Sequence, residues 1–233
     1  VTDHVADLLL APTQVAVDHL ADEGLAERTL LVGDVMTDVC LATRDAVRED
    51  AVTLPAGVDP EAPFVLATIH RADNTDDPSR LREILDALKG APVPVVLLAH
   101  PRLAALAKKH GVSLTAGSLV ASEPLAYPQM VRAVMAASGV VTDSGGLQKE
   151  AFLLETPTTT IRTETEWVET LEDGWNILDP GLTQLAEVMV RPRPEGAQAQ
   201  PYGDGHAAEH AVHALVDRPR GQHLRRGTET AAQ

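Results

Sequence analysis

Aromatic side chains are nearly missing: two Trp, two Tyr and two Phe, 3% of 233 residues. Apolar residues still make up 44%, so a core has to be assembled from Val, Leu and Ala. Cysteine occurs once, at Cys40, which excludes an internal disulfide and fits a reducing compartment. Basic residues are outnumbered, 19 Lys and Arg against 34 Asp and Glu, for a net charge of −15. That argues against a nucleic-acid partner, which needs a basic surface, but not against a local pocket for an anionic nucleotide. No apolar run approaches the roughly 18 residues needed to cross a bilayer, and no signal peptide is recognisable. No membrane partner and a cytoplasmic location are therefore expected. Gly-x-Gly-x-x-Gly and the P-loop lysine motif are both lacking, so neither NAD nor ATP hydrolysis finds support, and no cofactor is expected. The nine histidines have no cysteine partners. His206, His210 and His213 recur on one helical face and read as a solvated or interface stripe, so no metal is expected.

What is present is a strand–helix alternation. Leu8 to Ala11 reads as a buried strand, Thr13 as the cap of a helix to about Glu23, and Gly24 as its stop. Thr29 to Gly33 is a second strand and Asp34 to Arg48 a helix. Residues 50–62, with two prolines, a glycine and several acids, read as a connector. Phe64 to Ile69 is a continuous apolar strand, the pattern of a parallel sheet covered on both faces. Helices follow at Asp77 to Lys89, Pro101 to His110, Tyr127 to Ala137, 145–154, Leu182 to Val190 and Gly205 to Val216. Strands are predicted at Val93 to Ala99, weakly at Val112 to Thr115, and at 139–142, Pro157 to Ile161 and Trp175 to Leu178. The segments are 1–48, a linker at 49–62, a main domain at 63–204, a terminal helix at 205–216 and a tail at 217–233 expected to be disordered. The fold class is α/β: a doubly wound, right-handed, parallel, Rossmann-like sheet. Its ligands bind beyond the carboxyl ends of the strands. That rule selects the loops starting at His70, His100, Asp143 and Arg162.

The richest stretch is Asp143-Ser144-Gly145-Gly146-Leu147-Gln148-Lys149-Glu150, directly after the strand Gly139-Val140-Val141-Thr142. Glycines let a backbone approach a ligand closely, and a helix start offers unpaired N–H groups and a positive dipole end to a phosphate. Glu150, a turn or so on, can accept the two hydroxyls of a ribose. A plain N-cap with a tight turn explains Ser144 equally well. His70 and Arg71 can both donate to phosphate oxygens, and an imidazole there can also move a proton near neutral pH. Arg162 can neutralise a diphosphate bidentately, and Glu166 can orient that arginine or touch a sugar. Trp167 and Trp175 read as packing residues. The acids Glu164, Glu166, Glu169, Glu172 and Asp173 read as a solvated face.

Taken together, the chain resembles the non-hydrolysing UDP-N-acetylglucosamine 2-epimerases. The resemblance rests on Thr2-Asp3-His4 with Leu8-to-Thr13, Gly33-Asp34-Val35-Met36, Ala67-to-Asn74, Thr142-to-Glu150, Arg162-to-Glu169, Gly174-Trp175-Asn176 and Tyr202-to-Ala207. It covers nearly all of residues 1–216. It implies the carboxyl-terminal half of a glycosyltransferase-B type architecture, with 1–48 the end of an amino-terminal Rossmann-like domain that is otherwise missing. It implies a UDP-sugar substrate and a homodimer in the full-length form. By the same resemblance His70 contacts the diphosphate and assists departure of UDP; Ser144, Gly145, Gly146 and Arg162 bind phosphate; Glu150 holds the ribose; Arg71, from its own chemistry, joins them as a UDP-binding residue. Tyr127 and Met130 line the uracil pocket, and Glu166 supports the sugar side. The family reaction eliminates UDP and adds it back with exchange of the C2 proton, without NAD. This chain departs from the family at Asp73, where Glu is usual, and the family's acid and base carboxylates fall in the part not found here. Other readings open at this point are a UDP-binding remnant without catalysis, a glycosyltransferase of the same architecture, and a 2-epimerase of a diacetamido uronic acid sugar.

Overall fold

The structure, a computed structural model, describes residues 1–195 and 198–217. The tail expected to be disordered lies, apart from Asp217, outside the described residues. The chain divides into two compact units, 1–39 with 199–233 and 40–198, the division falling between Val39 and Cys40.

In the first unit a short helix α1 (Thr2–Val5) precedes strand β1 (Leu9–Ala11), helix α2 (Gln14–Asp22) and strand β2 (Thr29–Leu31). The two strands pair in parallel. Thr13 caps α2 by accepting from the Ala16 N–H at 3.2 Å. The expectation of a wholly buried first strand is corrected: Leu9 and Ala11 are buried but Leu10 between them is exposed, the alternation of a strand with one covered face. Helix α3 (Val35–Ala46) follows Gly33, whose φ is +86°. A Cβ at Gly33 would stand 3.1 Å from the Tyr202 carbonyl, so glycine is required there on two grounds.

The second unit carries β3 (Val65–Thr68), α4 (Ala72–Thr75), α5 (Pro78–Lys89), β4 (Val95–Leu98), α6 (Pro101–His110), β5 (Leu119–Ser122), α7 (Tyr127–Ala136), β6 (Gly139–Thr142), α8 (Gly145–Leu153), β7 (Thr158–Thr160), β8 (Asn176–Leu178) and α9 (Leu185–Val188). The last helix, α10 (Ala207–Val216), belongs to the first unit. Six parallel strands lie in the order β5-β4-β3-β6-β7-β8. Strand order reverses between β3 and β6, so a ligand crevice opens beyond their carboxyl ends.

Alternate residues of each strand face opposite layers. Val65, Ala67, Val95 and Leu97 pack against Leu81, Ile84, Leu85 and Leu88 of α5 and Leu185 of α9, all essentially inaccessible. Phe64, Leu66, Val96 and Val140 pack against Val131 and Val134 of α7 and Ala151 of α8. Each Val, Leu, Ile or Phe among them contributes about 1.5–3 kcal/mol on burial, which offsets the shortage of aromatics.

β7 is unusual in being three buried threonines. Thr160 Oγ1 donates to Asn176 Oδ1 at 2.8 Å, and Thr159 Oγ1 accepts from Arg191 at 3.3 Å. Arg191 also donates to the carbonyls of Thr158, Trp175 and Val188, each at 2.8 Å, and of Gly174 at 3.1 Å. Burial pulls its guanidinium down to about 10.

Two local expectations are corrected. The weak strand at Val112 to Thr115 is a turn, held by Ser113 and Thr115 bonding each other; the strand is β5, where Leu119 alone is buried. Glu169, placed on a solvated face by its acidic neighbours, is buried in a 3-10 segment, Val168–Gly174.

Candidate functional site

The crevice is organised by Asp143, the residue that ends β6. Its side chain is fully buried and reaches across the switch point to the end of β3. The backbone N–H groups of His70 and Arg71 donate to its carboxylate at 3.1 and 3.0 Å. His70 Nδ1 lies 3.1 Å from Oδ1. Asn74 Nδ2 donates to Oδ2 at 3.1 Å and also to the Ile161 carbonyl at 3.1 Å, extending the network to the end of β7. One carboxylate thus fixes three strand ends.

Burial works against the Asp143 charge, yet hydrogen bonds from His70, Asn74 and the Arg71 N–H outweigh it and hold the carboxyl below its ordinary range. The same hydrogen bond lifts the His70 imidazole above its usual value in spite of partial burial. With Nδ1 committed to Asp143, Nε2 is the nitrogen left to serve a ligand, and the raised value favours its carrying a proton.

Two hollows flank this ridge. The first, about 290 Å³, is lined by His70, His100, Met130, Ser144, Glu150 and a set of apolar side chains, Ile69, Leu98, Leu125 and Leu147 among them. The second, about 390 Å³, is lined by Arg71, Arg80 and Arg162 with Asp73, Asn74, Thr163 and Glu164, and by Ile161 and Pro180. Consecutive residues, His70 and Arg71, therefore serve different hollows.

Of the residues singled out by sequence, His70, Met130, Ser144 and Glu150 come together in the apolar hollow, and Arg71 and Arg162 in the arginine-lined one. Ser144 is the N-cap of α8, its Oγ accepting from the Leu147 N–H at 3.4 Å, so one residue both caps the helix and lines the hollow. Gly145 and Gly146 form the first turn of α8. Tyr127 neighbours Glu150 and Cys40, and burial together with the Glu150 charge pushes its hydroxyl up. Burial pushes Glu150 up, opposed by Tyr127 and by the Lys149 charge, and burial together with Glu150 pushes the Cys40 thiol up to about 11. Glu166 accepts from Arg162 bidentately, at 2.7 and 3.1 Å, and from Arg71 at 3.3 Å. The Arg162 hydrogen bonds hold its carboxyl down at about 2. Lys149 is buried with its ammonium 4.0 Å from the centroid of the Trp167 ring.

Sequence reasoning missed Asp143 as the hub, and Asn74 and Arg80 as wall residues. The available signals were an acid ending an otherwise apolar strand, and an asparagine one helical turn beyond His70.

A sequence profile described as UDP-N-acetylglucosamine 2-epimerase matches residues 1–216. The chain belongs to the UDP-N-acetylglucosamine 2-epimerase family. The UDP-2,3-diacetamido-2,3-dideoxy-D-glucuronate 2-epimerase of Pseudomonas aeruginosa is 41% identical over 183 residues, covering 76% of this chain and 49% of that relative. The UDP-N-acetylglucosamine 2-epimerase of Methanocaldococcus jannaschii is 29% identical over 229 residues, covering 92% and 62%. The crystal structure of the M. jannaschii UDP-GlcNAc 2-epimerase in complex with UDP-GlcNAc and UDP matches with a TM-score of 0.80 at 28% identity, over 93% of this chain and 63% of that one. These relatives are UDP-sugar 2-epimerases, hence isomerases, and the structural neighbours share the α/β Rossmann-like units of the glycosyltransferase-B architecture. The chain spans only 49 to 62% of the length of these two relatives. Among the described residues no helix is long and apolar enough to cross a membrane.

Proposed function

We propose that the 40–198 unit of this 2-epimerase family member holds the UDP portion of a UDP-amino sugar, and that the chain serves the interconversion of the C2 epimers of that sugar. The observation that carries this reading is the apolar hollow with His70, Ser144 and Glu150 on its rim. Apolar side chains around Met130 suit a flat base, Glu150 suits a ribose diol, and Ser144 with the first turn of α8 suits a diphosphate. His70, held by Asp143 in a protonation-ready orientation, is placed to stabilise and assist departure of UDP from C1. UDP trapped by such donors can add back after the C2 proton has been exchanged. The proton-transfer carboxylates are not assigned to residues of this chain.

A second reading, a 2-epimerase of a diacetamido uronic acid sugar, is favoured by the P. aeruginosa relative, whose 41% identity exceeds the 29% of the M. jannaschii UDP-N-acetylglucosamine enzyme.

The test is calorimetry with UDP and with pyrophosphate on the protein and on Glu150→Ala. Losing charge-assisted hydrogen bonds to the ribose should weaken UDP by about 2–3 kcal/mol, or about 30- to 150-fold, and leave pyrophosphate little changed. Equal weakening of both ligands refutes the ribose assignment, and binding of ADP but not UDP refutes the nucleotide reading.

A further inference from the structure

We propose that the Glu166 carboxylate stands where a ligand phosphate goes, and that a diphosphate enters by displacing it. Glu166 is then an internal competitor that restricts the site to strongly charged anions. This rests on the diphosphate placement proposed above and adds the residue that sets its selectivity.

The carboxylate lies where donors from three strand ends meet. Arg162, beyond β7, gives it two hydrogen bonds at 2.7 and 3.1 Å. Arg71, beyond β3, gives a third at 3.3 Å. The start of α8, beyond β6, completes the set: a Cβ built on Gly145 would stand 3.5 Å from Glu166 Oε2. The Leu147 and Gln148 N–H groups of α8 donate to Ser144. Those of Gly145 and Gly146 meet no acceptor among the described residues, and a helix start of this kind draws an anion. Two guanidinium groups and a helix start around one negative charge suit a group with more charge than a carboxylate. A guanidinium meets a carboxylate and a phosphate with the same bidentate geometry, so the exchange needs no rebuilding of the arginines.

The exchange is also mechanically simple. Arg162 is held in place, its side chain only 10% exposed, whereas that of Glu166 is 51% exposed. The residues on either side of Glu166 are tied down: Thr165 Oγ1 donates to Gln148 Oε1 at 2.7 Å and accepts from the Trp167 N–H at 3.0 Å. Glu166 leaves by rotating its own side chain into water, with the loop unmoved. The Arg162 hydrogen bonds hold its carboxyl at about 2, so it stays charged near neutral pH and a change of pH there does not relieve the competition. A ligand that must take the arginines binds in proportion to the fraction of molecules in which they are already free. Uridine has nothing to exchange for the carboxylate; a diphosphate does.

The test is calorimetry with UDP, pyrophosphate and uridine on the full chain and on Glu166→Gln. The variant should bind UDP and pyrophosphate about three- to tenfold tighter and uridine as before. A residue that supported the ligand, or served only to orient Arg162, gives the opposite sign. Glu164→Gln removes the same charge from an exposed acid of the same hollow and should move UDP by less than about twofold. Where Glu166→Gln does not fold, Glu166→Asp, one methylene shorter, should show part of the gain. Unchanged or weaker UDP binding in Glu166→Gln overturns the inference and leaves the nucleotide reading standing. An equal gain in Glu164→Gln, or an equal gain for uridine, overturns it too. Tighter pyrophosphate with no binding of UDP to either protein supports the competition and brings down the nucleotide reading. Failure of UDP and pyrophosphate alike brings down both.

Discussion

Replacing Asp143 by Asn should loosen the centre of the crevice and lower the His70 midpoint. The carboxylate is fully buried and accepts from the N–H groups of His70 and Arg71 and from Asn74 Nδ2, with His70 Nδ1 at 3.1 Å. With its amide oxygen in the place of Oδ2, asparagine still accepts from the His70 and Arg71 N–H groups and from Asn74 Nδ2; what is lost is the negative charge and the Oδ1 acceptor facing His70 Nδ1. The hydrogen bonds that remain lose their charge assistance, a bond to a charged group contributing about 1.5–3 kcal/mol against about 0.5–1.5 kcal/mol for a neutral one. A loss of about 1–3 kcal/mol is expected, a sizeable part of the roughly 5–15 kcal/mol that holds a domain together. His70 is 46% exposed on its side chain, so solvent screens its share and no separate figure attaches to it. The pH dependence follows from both groups. The depressed Asp143 value gives stability that is present above the ordinary 3.8 and lost as pH falls through the folded value. The raised His70 value gives stability that is present below the ordinary 6.5 and lost as pH rises through the folded value. Both contributions are complete between 3.8 and 6.5. Urea unfolding within that window, with proton NMR of the His70 ring alongside, reads out the two effects. In Asp143→Asn the His70 midpoint should move down towards its ordinary value. A stability loss below about 1 kcal/mol together with an unmoved His70 midpoint refutes the hub argument.

Further outcomes are expected elsewhere. Gly139→Ala should destabilise the second unit by about 1–3 kcal/mol or more, because an added Cβ would run into the Met189 carbonyl; a denaturation midpoint equal to that of the unaltered chain contradicts this. The Cys40 thiol, buried and pushed up to about 11, should resist alkylation in the native protein near neutral pH and react once the chain is unfolded, as mass spectrometry can follow. The Glu166 carboxyl should titrate at about 2, and Arg162→Gln should raise that midpoint towards its ordinary 4.5; carbon-detected NMR on labelled protein decides.

How far the sequence carried the fold depended on whether the determining signals were local. Pro101 at the helix start and Gly111 in the left-handed region at its end delimit α6 to the residue. Strand β6 and the start of α8 were equally legible, since Thr142, Asp143, Ser144 and the two glycines mark the change of period. β5 was not, because as an edge strand it buries Leu119 alone and so shows no apolar run, whereas Val112 to Thr115 has the composition of a strand but lies in a turn. The candidate site was legible as a set of strand ends and not as a network. Asp143 meets His70 across 73 positions, and Arg80 meets Pro180 across 100. No periodicity records such pairings; only the strand order brings them together. The partition of the candidate residues into an apolar and an arginine-lined hollow was invisible for the same reason, since adjacent residues fall on opposite sides of one ridge.

Arg191 has a practical consequence for dissecting this protein. Its guanidinium gathers the Thr158, Gly174, Trp175 and Val188 carbonyls and the Thr159 hydroxyl, all at the end of the sheet away from the crevice or in the segments leading into it. A fragment that stops at the last helix of the second unit would discard this one side chain and its hydrogen bond to the Gly174 carbonyl, at about 1–3 kcal/mol if that oxygen is left unsolvated. A shortened recombinant piece intended to report on the pockets should therefore keep α3 whole and extend to Gln198, retaining Arg191 and the Gln198 side chain that donates to the Phe152 carbonyl at 2.6 Å. Trimming to the sheet alone would produce a protein in which any loss of ligand binding reflects a loosened scaffold and says nothing about the residues that line the hollows.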